Sequence, residues 1–217
     1  MACRGNAWII AMSLLLPALA FAAPETKFVI ENGRAAPDKY YDEKPALLEQ
    51  SKAQASEGDA SIHFRSPEEK AGRVVLTKFN WPDTVDFTAI AANGTVCFDL
   101  WVDDASKVGS SPDAMGDRFE FTIGSRSNDK FASWYIPSTL LQNKKWNKVR
   151  LALRDGLPQV AGSTVNDAPL TKGKDASVAG TKEIVWGQTN YNRWCLPTYG
   201  ATDFYLDNCV AESAPAK

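Results

Sequence analysis

The chain has 217 residues, of which 44% are hydrophobic, 11% aromatic and 23% charged, and its formal net charge is −2. This excludes a long disordered segment, a collagen-like repeat and a polytopic membrane protein. With 24 Lys plus Arg against 26 Asp plus Glu, no basic surplus draws the chain onto nucleic acid or anionic lipid, and the single histidine, His63, excludes a zinc site built on several imidazoles.

Residues 1–22 carry Arg4, an apolar stretch from Trp8 to Leu19, and then Ala20-Phe21-Ala22. This small-x-small ending predicts a leader cleaved after Ala22, which places the rest in the periplasm or outside the cell. Ser13 and Pro17 interrupt the apolar stretch, and it falls short of the roughly 20 residues a membrane anchor needs. Three cysteines follow: Cys97, Cys195 and Cys209. An oxidising compartment favours one disulfide and one thiol. Three pairings are open, with Cys195–Cys209 preferred, and buried thiols are the alternative.

From Lys27 onward, short runs of Val, Ile, Phe, Tyr, Trp and Thr recur between turn residues without helical period, which predicts an all-β domain over 23–212. Strands are predicted near Phe28 to Glu31, Ser61 to Arg65, Arg73 to Phe79, Thr95 to Val102, Arg118 to Ile123, Phe131 to Ile136, Asn147 to Leu153, Glu183 to Thr189 and Phe204 to Val210. Alternation puts Val96, Phe98, Leu100 and Val102 on a core face, with Cys97, Asp99 and Trp101 opposite. Phe119, Phe121 and Ile123 form a second core stripe, and Val149, Leu151 and Leu153 a third. Sheets with one wet face are antiparallel, and two of them facing each other make a sandwich. Residues 35–57, 103–117 and 156–180 read as loops, the first with a short helix over Ala46 to Ala55, and 213–217 as a frayed tail.

A resemblance rests on the order of several pieces. They are Ile30-Glu31-Asn32-Gly33, Gly58-Asp59-Ala60-Ser61-Ile62, and Gly94 through Val102 with Asp103-Asp104 after it. Trp134-Tyr135-Ile136, Lys145 through Leu151, and Phe204-Tyr205-Leu206-Asp207-Asn208-Cys209-Val210 complete the series. In this order the chain resembles the β-jelly-roll, carbohydrate-binding-module-like domains of exported bacterial proteins, within the galactose-binding-like group. The resemblance implies a two-sheet antiparallel β-sandwich that binds sugar or acts as a scaffold without catalysis. It implies a sulfur of Cys209 turned to the core. It also implies a structural calcium tying the first strand to the last, and the matching positions are Glu31, Asp59 and Asp207. The alternative for these three is a set of solvated edge acids.

Sugar recognition needs flat apolar surfaces with polar groups that fix orientation. Most of the 7 Trp are expected in the core, Trp146 and Trp186 among them, since aromatic side chains dominate cores. Trp101, sharing a face with Asp99, is a candidate contact. So is Asn190 to Tyr199, read as an exposed connection that offers Tyr191, Arg193, Trp194 and Tyr199. Jelly rolls also include lyases and hydrolases, which need a Tyr or His base or two carboxylates about 5 to 9.5 Å apart. Glu120 and Asp99 are the pair weighed for this, against salt bridges with Arg118, Lys148 or Arg150. His63, between Ile62 and Phe64, is expected to face outward. The expectation is a monomeric, exported protein that binds a polysaccharide or glycan. A small lyase or hydrolase and a structural domain that contacts proteins remain the alternatives.

Overall fold

Period-two alternation is the organising feature of this chain, and in the computed structural model it produces thirteen strands among the described residues. Residues 27–31, 40–41, 47–66, 72–79, 90, 92–109, 118–125, 130–154, 157–170 and 190–213 are described. The strands are β1 (Lys27–Glu31), β2 (Tyr40–Tyr41), β3 (Leu47–Ser51), β4 (Ser61–Arg65), β5 (Gly72–Phe79), β6 (Gly94–Val102) and β7 (Arg118–Ser125). They continue as β8 (Lys130–Pro137), β9 (Lys145–Arg154), β10 (Leu157–Val165), β11 (Ala168–Pro169), β12 (Asn190–Thr198) and β13 (Asp203–Ser213).

Every pairing is antiparallel. One sheet is eight-stranded, in the order β11-β10-β9-β6-β13-β4-β3 with β1 also on β13; the other runs β2-β5-β12-β7-β8. The expected all-β, two-sheet antiparallel sandwich is what forms. The three predicted core stripes are buried in one cluster with Phe204, Leu206, Ile62 and Phe64 from the larger sheet and Ile136, Trp134, Trp194 and Leu196 from the smaller. A fully buried side chain of this size contributes about 1.5–3 kcal/mol.

Strand β13 pairs with three others because it changes register. Asp207 faces Asp99 of β6, but the next β6 pairing is Val210 with Cys97, and Asn208 takes a left-handed φ of 48° at the irregularity. The bulge re-aims the strand. Its first half pairs with β4 and its second half with β1. Cys209 is thereby turned into the core, as the resemblance implies. Gly94, where β6 begins, is required by close packing: a Cβ there would press on the carbonyl oxygen of Ile90 and lie 2.7 Å from that of Glu212.

Four expectations are corrected. Leu47 to Ser51 is a strand and not part of a helix, because it pairs along the whole of β4 and that ladder outweighs the helix preference of Leu, Glu and Gln. Within the stretch read as a loop at 156–180, β10 and β11 form a hairpin through Asn166 and Asp167, both at positive φ (51° and 66°), the residue types that a two-residue turn demands. Asn190 to Thr198 is an interior strand of the smaller sheet, paired with β5 and β7. No disulfide joins Cys97, Cys195 and Cys209. Cys195 lies in one sheet and Cys209 in the other, which separates the preferred pair. The leader at 1–22, the strand predicted over 183–189 and Trp186 lie outside the described residues.

Titration in denaturant of a chain starting at Ala23 should return three thiols without prior reduction. A count of one would restore the disulfide.

Candidate functional site

The six sugar-contact residues expected from sequence are divided among four places. Trp101 and Asp99 lie on the outer face of the larger sheet, opposite the Phe98 and Leu100 stripe as the alternation requires. Arg193 lies in the smaller sheet. Tyr191 stands two positions earlier in β12, opposite Gly124 of β7. Trp194 is fully buried between the sheets, where its ring packs on Phe121 at 5.4 Å. It belongs to the core cluster, because β12 alternates and its even positions face inward. Tyr199 is 49% exposed on the turn after β12. Its amide donates to the Lys107 carbonyl, on the turn that walls a cleft of about 410 Å³ lined by Ser106, Val108, Ser138 and Asn143.

Around Arg193, the outer face of the smaller sheet forms a built polar surface. Cys195 pairs with Glu120 and Val75, Arg193 with Thr122, and Thr122 with Ser133 across β5, β12, β7 and β8. Thr122, Ser133, Cys195 and Val75 are withdrawn from solvent, although their alternation points them away from the core. Thr122 Oγ1 donates to Glu120 Oε1 at 3.1 Å and shares a hydrogen bond with Ser133 Oγ at 2.7 Å. Arg193 Nη2 stands 3.9 Å from Glu120 Oε2, and Arg193 Nε is buried with no hydrogen-bond partner among the described residues. The Arg118 guanidinium sits 5.2 Å from the ring centroid of Tyr135. Burial pushes the Tyr135 hydroxyl above its ordinary range, with the Glu120 charge adding to the rise. Phe131 and Tyr135, both half-buried, stand four residues apart on the edge strand β8, a span of about 13 Å at 3.3–3.4 Å per residue.

Sequence reasoning placed Glu120 on this outer face but did not single out Thr122, Phe131, Ser133 or Tyr135. The readable sign was the alternation of β7 and β8, which sets these positions opposite the Phe119, Phe121 and Ile123 stripe and its β8 counterpart. Glu120 and Asp99 do not meet, since they occupy the outer faces of different sheets with the core between them. They do not form the carboxylate pair of a glycosidase.

His63 faces outward, as expected, on the larger sheet. It is 7% exposed. Its Nδ1 lies 3.0 Å from Glu49 Oε1 and its Nε2 2.9 Å from Asp203 Oδ1, so both nitrogens are engaged by carboxylates. Burial works to raise the pKa of Asp203, but hydrogen bonds from Arg65 and His63 outweigh it and hold the carboxyl below its ordinary range. Asp99 goes the other way. Burial pushes its carboxyl up, and Asp207 adds to the rise, against hydrogen bonds from Ser56 and Asn208 and the charge of Lys148.

Of the three acids matched to calcium, the structure describes the side chains of Asp207 and Asp59. Asp207 is fully buried. Its Oδ2 accepts from the Ser56 amide, the Ser56 hydroxyl and the Glu57 amide at 2.9, 3.1 and 3.0 Å, and its Oδ1 accepts from the Asn208 amide at 2.8 Å. Donors of this kind take the place of a cation, so the carboxylate staples residues 56–57 to β13. Asp59 is exposed, and the Glu31 side chain lies outside the described residues. Among the described residues no three His, Cys, Asp or Glu side chains converge as a metal group. The residues present do not fit an ion that takes 6 to 8 oxygens.

No protein-family model and no curated protein matches the sequence. A structure of carbohydrate-binding modules of the β-sandwich superfamily is similar at 11% identity and a TM-score of 0.46, covering 87% of this chain and 54% of that one. The family 11 carbohydrate-binding module of Clostridium thermocellum, in complex with a β-1,3-1,4-mixed-linked tetrasaccharide, is similar at 11% identity and a TM-score of 0.47, covering 88% and 98%. An exo-β-agarase is similar at 12% identity and a TM-score of 0.49, covering 88% of this chain and 25% of that one. The chain thus spans about half the length of the first protein and a quarter of the last.

Two measurements follow from these carboxylates. Ionised Asp99 costs the folded state, a cost absent below the ordinary aspartate value of about 3.9 and incurred as pH rises through the higher folded one. Asp203 contributes stability above that ordinary value and loses it as pH falls through its lower folded one. Asp99→Asn should raise Tm at pH 7 and leave it unchanged at pH 3. Asp203→Asn should lower it at pH 7, with the deficit gone near pH 2. Separately, excess EDTA followed by calcium should leave Tm where it was, and a fall restored by calcium would reinstate the metal.

Proposed function

We propose that this chain is an exported, non-catalytic carbohydrate-binding protein that holds a glycan against the outer face of its smaller sheet. The observation that carries the reading is the polar floor made by Thr122 and Ser133, withdrawn from solvent on a face turned away from the core, with the half-buried Glu120 beside them. Half-buried Tyr135 and Phe131 flank it on the edge strand, and Arg193 Nε stands there without a partner among the described residues. Sugar hydroxyls are both donors and acceptors. The floor offers a carboxylate to accept, a guanidinium to donate and hydroxyls that do either, while the aromatic side chains meet the C–H faces of the rings. A buried guanidinium nitrogen left without an acceptor is costly, and a sugar hydroxyl would relieve that cost. The leader sequence is consistent with encountering such glycans outside the cytoplasm.

Affinity electrophoresis in soluble mixed-linkage β-glucan, β-1,4-galactan and agarose tests the proposal. At least one glycan should retard the chain. Arg193→Ala, Glu120→Gln and Tyr135→Ala should each weaken binding at least tenfold, about 1.4 kcal/mol, with melting curves showing that the fold is kept. Equal retardation of all variants would refute this face. Release of unsaturated, ultraviolet-absorbing ends would make the protein a lyase.

A further inference from the structure

The outer face of the larger sheet carries a second feature that the fold does not use. One register row crosses five adjacent strands: Glu49 of β3 opposes His63 of β4, His63 opposes Tyr205 of β13, Tyr205 opposes Trp101 of β6, and Trp101 opposes Trp146 of β9. His63 lies flat on Tyr205, with centroids 4.3 Å apart at 7°, and Trp101 stands edge-on to Tyr205 at 5.1 Å and 86°. Tyr205, Trp101 and Trp146 are half-exposed and none belongs to the core cluster. Trp146 was expected inside. It faces out because Asn147, Val149 and Leu151 hold the inward phase of β9.

The charges that flank the row are paired with one another. Asp203 is held by Arg65 and His63, Asp103 lies 3.7 Å from Lys144, Arg150 Nη1 lies 3.3 Å from Glu212, and Lys148 acts on Asp99. With Glu49 of the row itself, five carboxylates stand against four Lys and Arg, so no positive surplus attracts a polyanion or an anionic membrane. Among the described residues, the only large apolar side chains that are exposed outright are Leu157 and Tyr199, and neither is in this row. Tyr205 and Trp146 are separated by two strand spacings, about 9.5 Å.

We infer that the Tyr205–Trp101–Trp146 row is a second saccharide platform, selective for an uncharged linear glycan, on the side of the sandwich opposite the Arg193 face. The protein then grips two glycan chains at once and cross-links them. The inference extends the proposed carbohydrate-binding reading but rests on separate residues, so each can fail alone.

The test uses the full chain with soluble mixed-linkage β-glucan and β-1,4-galactan, followed by calorimetric stoichiometry and light scattering. Wild-type protein should bind two sites per chain and cloud a solution of long polymer. Trp101→Ala should halve the stoichiometry and abolish the clouding while keeping the Arg193 site, and Arg193→Ala should do the reverse. Trp146→Ala, at the end of the row, substitutes for Trp101→Ala if that variant does not fold. Stoichiometry and clouding unchanged in both Trp variants would overturn the platform and leave the first face standing. Loss of all binding in Arg193→Ala, with none in Trp101→Ala, would do the same. Binding abolished by Trp101→Ala but indifferent to Arg193→Ala would support the row and refute the first face. Tighter binding of polygalacturonate than of β-glucan at low salt would overturn the choice of a neutral ligand. Glycan-independent dimerisation, lost in Trp101→Ala, would assign the row to a second copy of the chain and overturn the inference.

Discussion

The structure depends on an aromatic seam between its two layers. Phe98 of β6 meets Phe121 of β7 at 5.0 Å and the edge of Trp194 of β12 at 6.0 Å, and Phe121 in turn contacts Trp134 of β8 at 6.0 Å. Once these residues face inward, period two settles the rest of their strands: Asp99 and Trp101 must look out from one sheet, and Arg193, Glu120 and Tyr135 from the other. The two outward faces are consequences of one inward choice. A single-residue slip in any of these strands would exchange core for surface along its length.

Much of this was legible because the strands nearest the seam are amphipathic. Val96 to Val102, Phe119 to Ile123 and Val149 to Leu153 each alternate cleanly, so their existence, phase and outer residues follow from the residues alone, Trp101 and His63 included. The elements that escaped reading lack that contrast. β12 carries Asn192 in a fully buried position and Cys195 and Pro197 in largely buried ones, so polar and turn-forming residues disguise an interior strand as a connection. β3 is built from good helix formers and becomes a strand only because β4 presents an edge to pair with. Local preference decided neither.

The site was legible in part for the same reason. Trp101 and Asp99 were placed on the right face by phase, whereas Trp194 was misassigned because a segment read as a loop has no phase to apply. Which outer residues are withdrawn from solvent, as Thr122 and Ser133 are, depends on neighbours brought together across sheets and not on sequence spacing. The calcium acids illustrate a further limit. Asp207 sits at the position the resemblance implies, but its oxygens are taken by amides of Ser56 and Glu57 about 150 residues away in the chain. Only the folded chain reveals such partners.

The triple pairing of β13 bears on how the protein comes into being. Its partner β4 ends at Arg65, 138 residues before Asp203, so a nascent chain carries β4 and β6 with bare hydrogen-bonding edges until β13 has been synthesised. Contacts of this sequence separation form slowly, and open edges invite intermolecular pairing. The last ladder to be laid down closes the middle of the sheet. A chain built this way stays open to mispairing until its two central edges are joined.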